Sequence, residues 1–433
     1  ALAQAPSDAK ACQSIYSQTS NIQIEGDSLF KTFEATHSIS QIIRDNHRDY
    51  SNYVATEYIP FLKSKNENTS LLEYLVQFKG PVPGDNHAGQ RIIGPDLTAS
   101  TLEYFNWDLK EGSVHSPYFY SLANLVLNTH AVVKKNEVKI KDVAARILYA
   151  YIQGLEKSPF PEPATIADAK KFSIKQFNEM LADDLSRFIK KKSHMLKIKE
   201  GKLDAFGEQD AELGITRAQL AEAIELYANQ TNETVKMLDV AIRPKERGSA
   251  HLRRIWVLIE RTNREETDPL KLDIIEFKQN LPSTMEALFP SNLNQEQAYE
   301  MLRKTFGSKN KSNTQLVRLN GHYMEMRRRK VDLMAVPYSQ SSIEQAEDAL
   351  QLASYAAYDQ GRRQSEIVPA QQTQALKTFL LKSDKQVVEE IRKLVKAYYV
   401  HIKSLHSEYI EEVLPQSQID SEGSREEIKT TTK

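Results

Sequence analysis

A single cysteine, Cys12, stands in a chain of 433 residues. One thiol makes no internal disulfide, so packing alone must hold the fold. No stretch approaches the roughly 18 uninterrupted apolar residues that a membrane helix needs, so no membrane span is expected. Neither sign of charge is in surplus: 57 basic residues face 58 acidic ones, for a formal net charge of -1. That balance gives no long-range attraction to nucleic acid or to an anionic membrane, and no nucleic-acid partner is expected. Also missing are a Walker A sequence, a G-x-S-x-G elbow and an H-E-x-x-H pair. Their absence sets aside the P-loop, α/β-hydrolase and zincin chemistries.

What remains is ordinary globular material, 40% hydrophobic and 27% charged, which can bury a real core. The length suits two or three units, or one large two-lobed fold. The start Ala1-Leu2-Ala3-Gln4 reads as the end of an A-x-A cleavage site, which favours an exported, periplasmic protein over a cytosolic one; an artificial boundary would read the same way.

Apolar spacing predicts helices before Gly80, where Gly80-Pro81-Val82-Pro83-Gly84 stops any helix. Short strands are expected around Ile92-Ile93 and Tyr104-Phe105, and helical patterning resumes over 117–131. From 138 to 235 the chain reads as helical, with a stripe of Val143, Ile147, Leu148, Tyr151 and Ile152 and a capping-box spacing at Thr216 and Gln219. Alternating apolar residues over 255–259 and 272–277, around a charged turn, predict a hairpin, and 322–327 a third strand. Helices return from 342, the last opening near Ser383. The expected fold is therefore α+β and helix-dominated, with a small antiparallel sheet. Five parts are expected: an N-terminal segment (1–35), a helical region with the Gly84 loop (36–240), the sheet region (241–335), C-terminal helices (336–414) and a polar tail (415–433) read as disordered.

The sharpest motif is Gly84-Asp85-Asn86-His87-Ala88-Gly89-Gln90, followed by Phe105-Asn106-Trp107-Asp108. It resembles the catalytic segment of aminoglycoside-phosphotransferase-type kinases, G-D-x-H-x-x-N and then an Asp after a short strand. Phosphoryl transfer needs a carboxylate beside the attacking hydroxyl and cations to neutralise the phosphates. The resemblance makes Asp85 the catalytic Asp and His87 the structural His of the loop. It places Gln90 and Asn106 where that pattern has metal-binding Asn and Asp. An amide is a neutral, weaker ligand for Mg²⁺, so Asp108 or Glu111 would have to compensate.

A second constellation lies downstream. Gly248 and Ser249 precede the strand Ile255–Glu260, and Lys278 ends the strand that follows. Glycine turn, strand, hairpin, strand and lysine is the order of a kinase small lobe, in which backbone N–H groups cover phosphates and the Lys pairs with them. A lone Lys at a strand end otherwise reads as a solvated charge. The region from 35 to 412 resembles the bacterial domain-of-unknown-function 2252 family, through Gly84–Gln90, Phe105–Glu111, Ser116–Leu125, Gly248–Glu260, Ile274–Lys278 with Pro282-Ser283, and Leu352–Arg363. The chain departs from that family at Gln90, at Asn106 and at Tyr355-Ala356-Ala357-Tyr358, where the family's late helix has a His. The resemblance implies a kinase-like two-lobed fold. Because Asp85 comes before Lys278, that fold would be circularly permuted.

The expected function is a kinase-like nucleotide-binding protein, in its active form a phosphotransferase using ATP and Mg²⁺. Asp85, His87 and Lys278 would be its catalytic residues, Gly248, Ser249 and Lys278 its nucleotide contacts, and Gln90, Asn106 and Asp108, with Glu111 in reserve, its metal shell. Export would set this against the scarcity of ATP outside the cytosol. One alternative is a catalytically degenerate relative that binds a small phosphorylated ligand or a protein. Another is a metal-dependent hydrolase in which His115 and His130 join His87. The basic run Arg327-Arg328-Arg329-Lys330 reads as a solvated strand end, and the tyrosines of the last helix read as core.

Overall fold

The computed structural model describes residues 50, 53–64, 69–84, 86, 88, 91–96, 101–106, 109, 112–158, 198–199, 202–203, 213–243, 253–268, 271–280, 283, 285–286, 289–307, 314–328, 334–335 and 346–413. The fold is mixed α+β, with helices predominating over small antiparallel sheets. The expected N-terminal segment (1–35) and the tail (415–433) lie outside the described residues.

A π-turn at Val54–Tyr58 leads into α1 (Ile59–Ser64) and α2 (Ser70–Leu75). Strand β1 (Lys79–Val82) pairs antiparallel with β4 (Ser113–Pro117), and between them lie β2 (Arg91–Asp96) and β3 (Thr101–Asn106). Helix α3 (Tyr118–Val133) is buried along its whole length. Its sequence, YFYSLANLVLNTHAVV, offers no charged face to water, so it can only be a central helix. Helix α4 (Ile140–Leu155) lies beside it and buries the expected stripe.

The next elements correct the helical expectation for 138–235. Two short strands, β5 (Ile198–Lys199) and β6 (Lys202–Leu203), form an antiparallel pair. Helix α5 (Arg217–Thr231) then opens with the expected capping box, the Thr216 side chain accepting from the Gln219 backbone. Strand β7 (Val235–Arg243) begins the main sheet and is followed by β8 (Arg254–Arg261), β9 (Leu272–Gln279), helix α6 (Gln295–Phe306), β10 (Thr314–Leu319) and β11 (His322–Arg328). The antiparallel order is β7-β8-β9-β11-β10, so α6 is inserted between the third and fourth strands of the chain. The expected hairpin is β8–β9, and the expected third strand is β11.

A two-residue strand, β12 (Met334–Ala335), leaves the sheet and pairs with β2. Helices α7 (Ala346–Ile367), α8 (Ala370–Lys382) and α9 (Asp384–Val413) complete the chain. Val387, Ile391, Leu394, Tyr398 and Ile402 of α9 are buried in the same core as α3, α4 and α7. Tyr398 meets Tyr50 edge-on at 5.3 Å, which is the core role expected of it. Two glycines set the crossing of α4 and α7. A Cβ on Gly154 would fall 2.2 Å from the Tyr358 carbonyl oxygen, and one on Gly361 would fall 2.4 Å from that of Tyr151. Only glycine permits this backbone approach.

The main sheet has two unlike faces, as period-2 alternation requires. Ile255, Val257, Ile259, Ile275, Phe277, Met324 and Met326 pack under Leu220, Ile224 and Tyr227 of α5. At the end of this face Asp273 accepts from Arg261 (2.9 Å) and Arg328 (3.2 Å). No described helix is long and apolar enough to cross a membrane.

Candidate functional site

Strand β1 ends at Val82, and two residues later Gly84 takes φ +79°, a value that favours glycine. The chain then enters the G-D-N-H turn. Asn86 is fully buried there. Its backbone N–H donates to Asn124 Oδ1 (3.0 Å), and its side-chain Nδ2 donates to the Ser121 carbonyl (3.1 Å) and hydroxyl (3.2 Å) and to Gln360 Oε1 (2.7 Å). Helices α3 and α7 thus hold Asn86 from two sides. Asp85, His87, Gln90, Asp108 and Glu111 lie outside the described residues, as do Gly248, Ser249, Arg329 and Lys330.

The backbone nevertheless fixes where several of these segments leave the framework. In the β2–β3 hairpin Arg91 pairs with Asn106. Directly paired Cα atoms are about 4.5–5.5 Å apart. Arg91 and Asn106 therefore stand together at one end of the hairpin. Strand β12 pairs with this hairpin too, Met334 with Ile93 and Ala335 with Ile92. Met334 is six residues on from Arg328, and at ~3.4 Å per residue that step reaches at most about 20 Å. The hairpin therefore lies within that distance of the end of β11.

The second face of the main sheet carries charge. A cross-strand row runs Arg243, Arg254, Lys278, Glu325, Leu316. The next same-face row, two residues inward, runs Ala241, Trp256, Glu276, Arg327, Thr314. Side chains in such rows point to one side of the sheet. Lys278 is 1% exposed, and Glu276 and Glu325 are fully buried. Glu276 accepts from Arg327 Nε (2.6 Å) and from Trp256 Nε1 (3.0 Å), and pairs with Arg254 (3.5 Å). Glu325 Oε1 accepts from the Tyr299 hydroxyl of α6 (3.0 Å) and from Thr314 (3.2 Å). Burial, and then the Glu325 charge, push the Tyr299 hydroxyl well above the usual tyrosine range, so it stays a donor. The segment holding Gly248 and Ser249 joins Arg243 to Arg254, so it leaves the sheet from the Lys278 row.

These findings overturn two solvated readings. Lys278 is no surface lysine. Arg327 and Arg328 are no solvated strand end, because each is buried in an ion pair, with Glu276 and Asp273 respectively.

Helices α6 and α7 connect the two constellations. Leu109, the residue after Asp108, packs with Tyr299, Leu302 and Phe306 of α6. Gln360 of α7 holds Asn86, while Arg363, one turn on, donates to the Thr305 carbonyl at the end of α6 (3.0 Å). A cation is favourable at a helix C-terminus. A cavity of about 220 Å³ lies between Leu109, Gly112 and α6. It is smaller than a typical ligand pocket. A larger open groove, about 730 Å³, lies along α8 between Tyr74 and Phe379 and shares no residue with it.

Asn86, Glu325, Gln360 and Tyr299 escaped the sequence reading. Glu325 had a signal: it stands between Met324 and Met326 in a strand, so it must face away from the apolar side. His115 and His130 are not brought together. His115 lies three residues before α3 and is exposed, whereas His130 is twelve residues into α3, about 18 Å along its axis. His130 Nδ1 contacts the Tyr399 hydroxyl (2.9 Å), and burial, then the Lys134 charge, lower its pKa to about 4. Among the described residues no cluster of three metal-ligating side chains occurs. The chain matches no family model, no curated protein and no solved structure.

Proposed function

We propose that the chain is a kinase-like nucleotide-binding protein with its two lobes in permuted order, binding ATP with Mg²⁺ and acting as a phosphotransferase. The observation that carries this reading is the row Arg254–Lys278–Glu325 at the end of the five-stranded sheet. There a buried ammonium and a guanidinium stand at the mouth of the segment holding Gly248 and Ser249. In a kinase small lobe the chain runs strand, phosphate-covering glycine turn, strand, lysine strand and then a helix carrying an acid. Strands β7, β8 and β9 and helix α6 follow that order.

In this reading Lys278 pairs with the phosphates, and the backbone at Gly248 and Ser249 covers them. Asp85 positions the attacking hydroxyl, and His87 braces its turn. Gln90, Asn106, Asp108 and Glu111 form the metal shell. Bound Mg²⁺ would neutralise charge developing on the transferred phosphoryl group. Two observations support this reading: the hairpin register Arg91–Asn106, and the pairing of β12, close after β11 in the chain, with β2. A second reading, a degenerate binder without catalysis, is favoured by the amides Gln90 and Asn106 at metal positions.

Thermal unfolding with ATP, ADP and GTP, each with and without Mg²⁺ or Mn²⁺, tests both. A ligand at ~100 times its dissociation constant stabilises by about 2.7 kcal/mol. A metal-dependent shift, lost in Asp108→Ala and Lys278→Ala, is the expected result. A shift that ignores metal and survives Asp85→Ala supports the degenerate reading. No shift with any nucleotide in a folded sample rejects the nucleotide site.

A further inference from the structure

Helix α3 carries a polar stripe through the middle of the core. Ser121, Asn124 and Asn128 are spaced three and four residues apart, so they share one face. Asn86 lies against that stripe, and Asn86, Asn124 and Asn128 are each at most 1% exposed. Backbone groups fix which way each amide points. The Asn86 N–H needs an acceptor, so Asn124 presents Oδ1 to it (3.0 Å). The Ser121 carbonyl needs a donor, so Asn86 presents Nδ2 (3.1 Å). The Asn124 carbonyl likewise takes Nδ2 of Asn128 (3.0 Å), which also reaches Asn124 Oδ1 (3.2 Å). Turning any of the three amides over would set oxygen against oxygen or donor against donor.

One polar atom is left over on each. Asn86 Oδ1, Asn124 Nδ2 and Asn128 Oδ1 have no hydrogen-bond partner among the described residues. Buried polar atoms are rarely left so. The three residues meet at Asn124 Oδ1, which accepts from the Asn86 backbone and from the Asn128 side chain. Two acceptors and one donor define what can join them. A cation would be repelled by the Asn124 Nδ2 hydrogens, and an anion by the two oxygens. A carboxylate brings no donor, and a neutral imidazole brings one. A small neutral molecule with two donors and an acceptor fits, and water is the smallest.

We propose that a single buried water bridges Asn86, Asn124 and Asn128, donating to Asn86 Oδ1 and Asn128 Oδ1 and accepting from Asn124 Nδ2. About three hydrogen bonds are the usual complement of a buried water. This water ties the G-D-N-H turn to the interior of α3 at a second point, beside the Asn86 Nδ2 bonds. It does not depend on the function proposed above.

Two measurements on the unaltered full chain test it. In a crystal structure that resolves ordered water, one peak should lie about 2.7–3.2 Å from all three atoms. In NMR of protein with isotope-labelled asparagine, the Asn124 side-chain amide should show water cross-peaks of opposite sign in NOE and ROE spectra, the signature of a water held in place. Ser121→Ala should keep those cross-peaks, because they come from the water and not from the exchanging Ser121 hydroxyl. No peak in the crystal, a side chain of the turn in that position, or a peak ringed by oxygens at cation distances would overturn the proposal. So would cross-peaks of equal sign, which mark freely passing water, or cross-peaks lost in Ser121→Ala.

Discussion

Replacing Asn86 by Ala tests whether the G-D-N-H turn is held from within the helical core. The backbone N–H bond to Asn124 Oδ1 survives the change, and both Nδ2 hydrogens are lost. Those hydrogens serve Gln360 Oε1 at 2.7 Å and the Ser121 carbonyl and hydroxyl at 3.1 and 3.2 Å. Two net hydrogen bonds are worth about 2 kcal/mol, and a buried acceptor stripped of its donor adds about 1–3 kcal/mol. Gln360 Oε1 is such an acceptor, since Gln360 is fully buried. The expected loss is about 3–5 kcal/mol, a large share of the ~5–15 kcal/mol that holds most domains together. With m near 3 kcal/mol/M the urea midpoint should fall by about 1 M or more. Asn86→Asp keeps the shape but turns an acceptor on two acceptors. It should cost at least as much at pH 7, and its deficit should shrink as pH falls, because a buried carboxyl titrates above ~3.9 and the folded state then binds the extra proton. An Asn86→Ala protein whose midpoint moves by less than about 0.2 M at constant m would refute the anchor.

Three further outcomes are expected. Gly361→Ala drives a Cβ to 2.4 Å from the Tyr151 carbonyl oxygen and should cost about 1–3 kcal/mol in urea unfolding; an unchanged midpoint would mean that α4 and α7 part freely. Asp273→Asn puts a neutral amide against the buried Arg261 and Arg328, while Arg261 keeps Glu233 at 2.8 Å, and should cost about 3 kcal/mol, whereas Asp268→Asn, at a part-exposed pair with Arg264, should cost under about 1 kcal/mol. The unfolded His130 imidazole takes a proton near pH 6.5 and the folded one only near 4, so wild type should lose stability relative to His130→Gln as pH falls through that window; parallel profiles would place His130 in contact with water.

Periodicity made the core elements readable. The stripe of α4 and the face of α9 repeat at helical spacing, and 255–259 alternates like a half-buried strand, so α4, α9 and the β8–β9 hairpin stand where expected. Helix α6 passed unnoticed because Tyr299, Leu302 and Phe306 are its only large buried apolar residues amid charge. Its signal was the capping box at Asn294 and Gln297. Strands β5 and β6 are two residues each, too short to show alternation. At the site, the motif singled out the residues with chemistry in their side chains and treated Asn86 as its variable position. Asn86 is the residue that the core grips, and that role depends on Gln360, hundreds of residues away in sequence.

Lys278 shows why register decides what spacing cannot. From sequence it is a charge at a strand end, and most such lysines reach water. The sheet order β7-β8-β9-β11-β10 makes β9 the central strand, so Lys278 has Arg254 on one side and Glu325 on the other. A central-strand lysine under α6 cannot reach water and must find its partner on the same face. Chain order likewise does not decide which elements meet; pairing and packing do. Strand β12 carries the chain from the end of β11 onto the hairpin that bears Asn106, and α7 returns to hold both Asn86 and the end of α6. Through these two connections the sheet region meets the β2–β3 hairpin and the helices that hold Asn86.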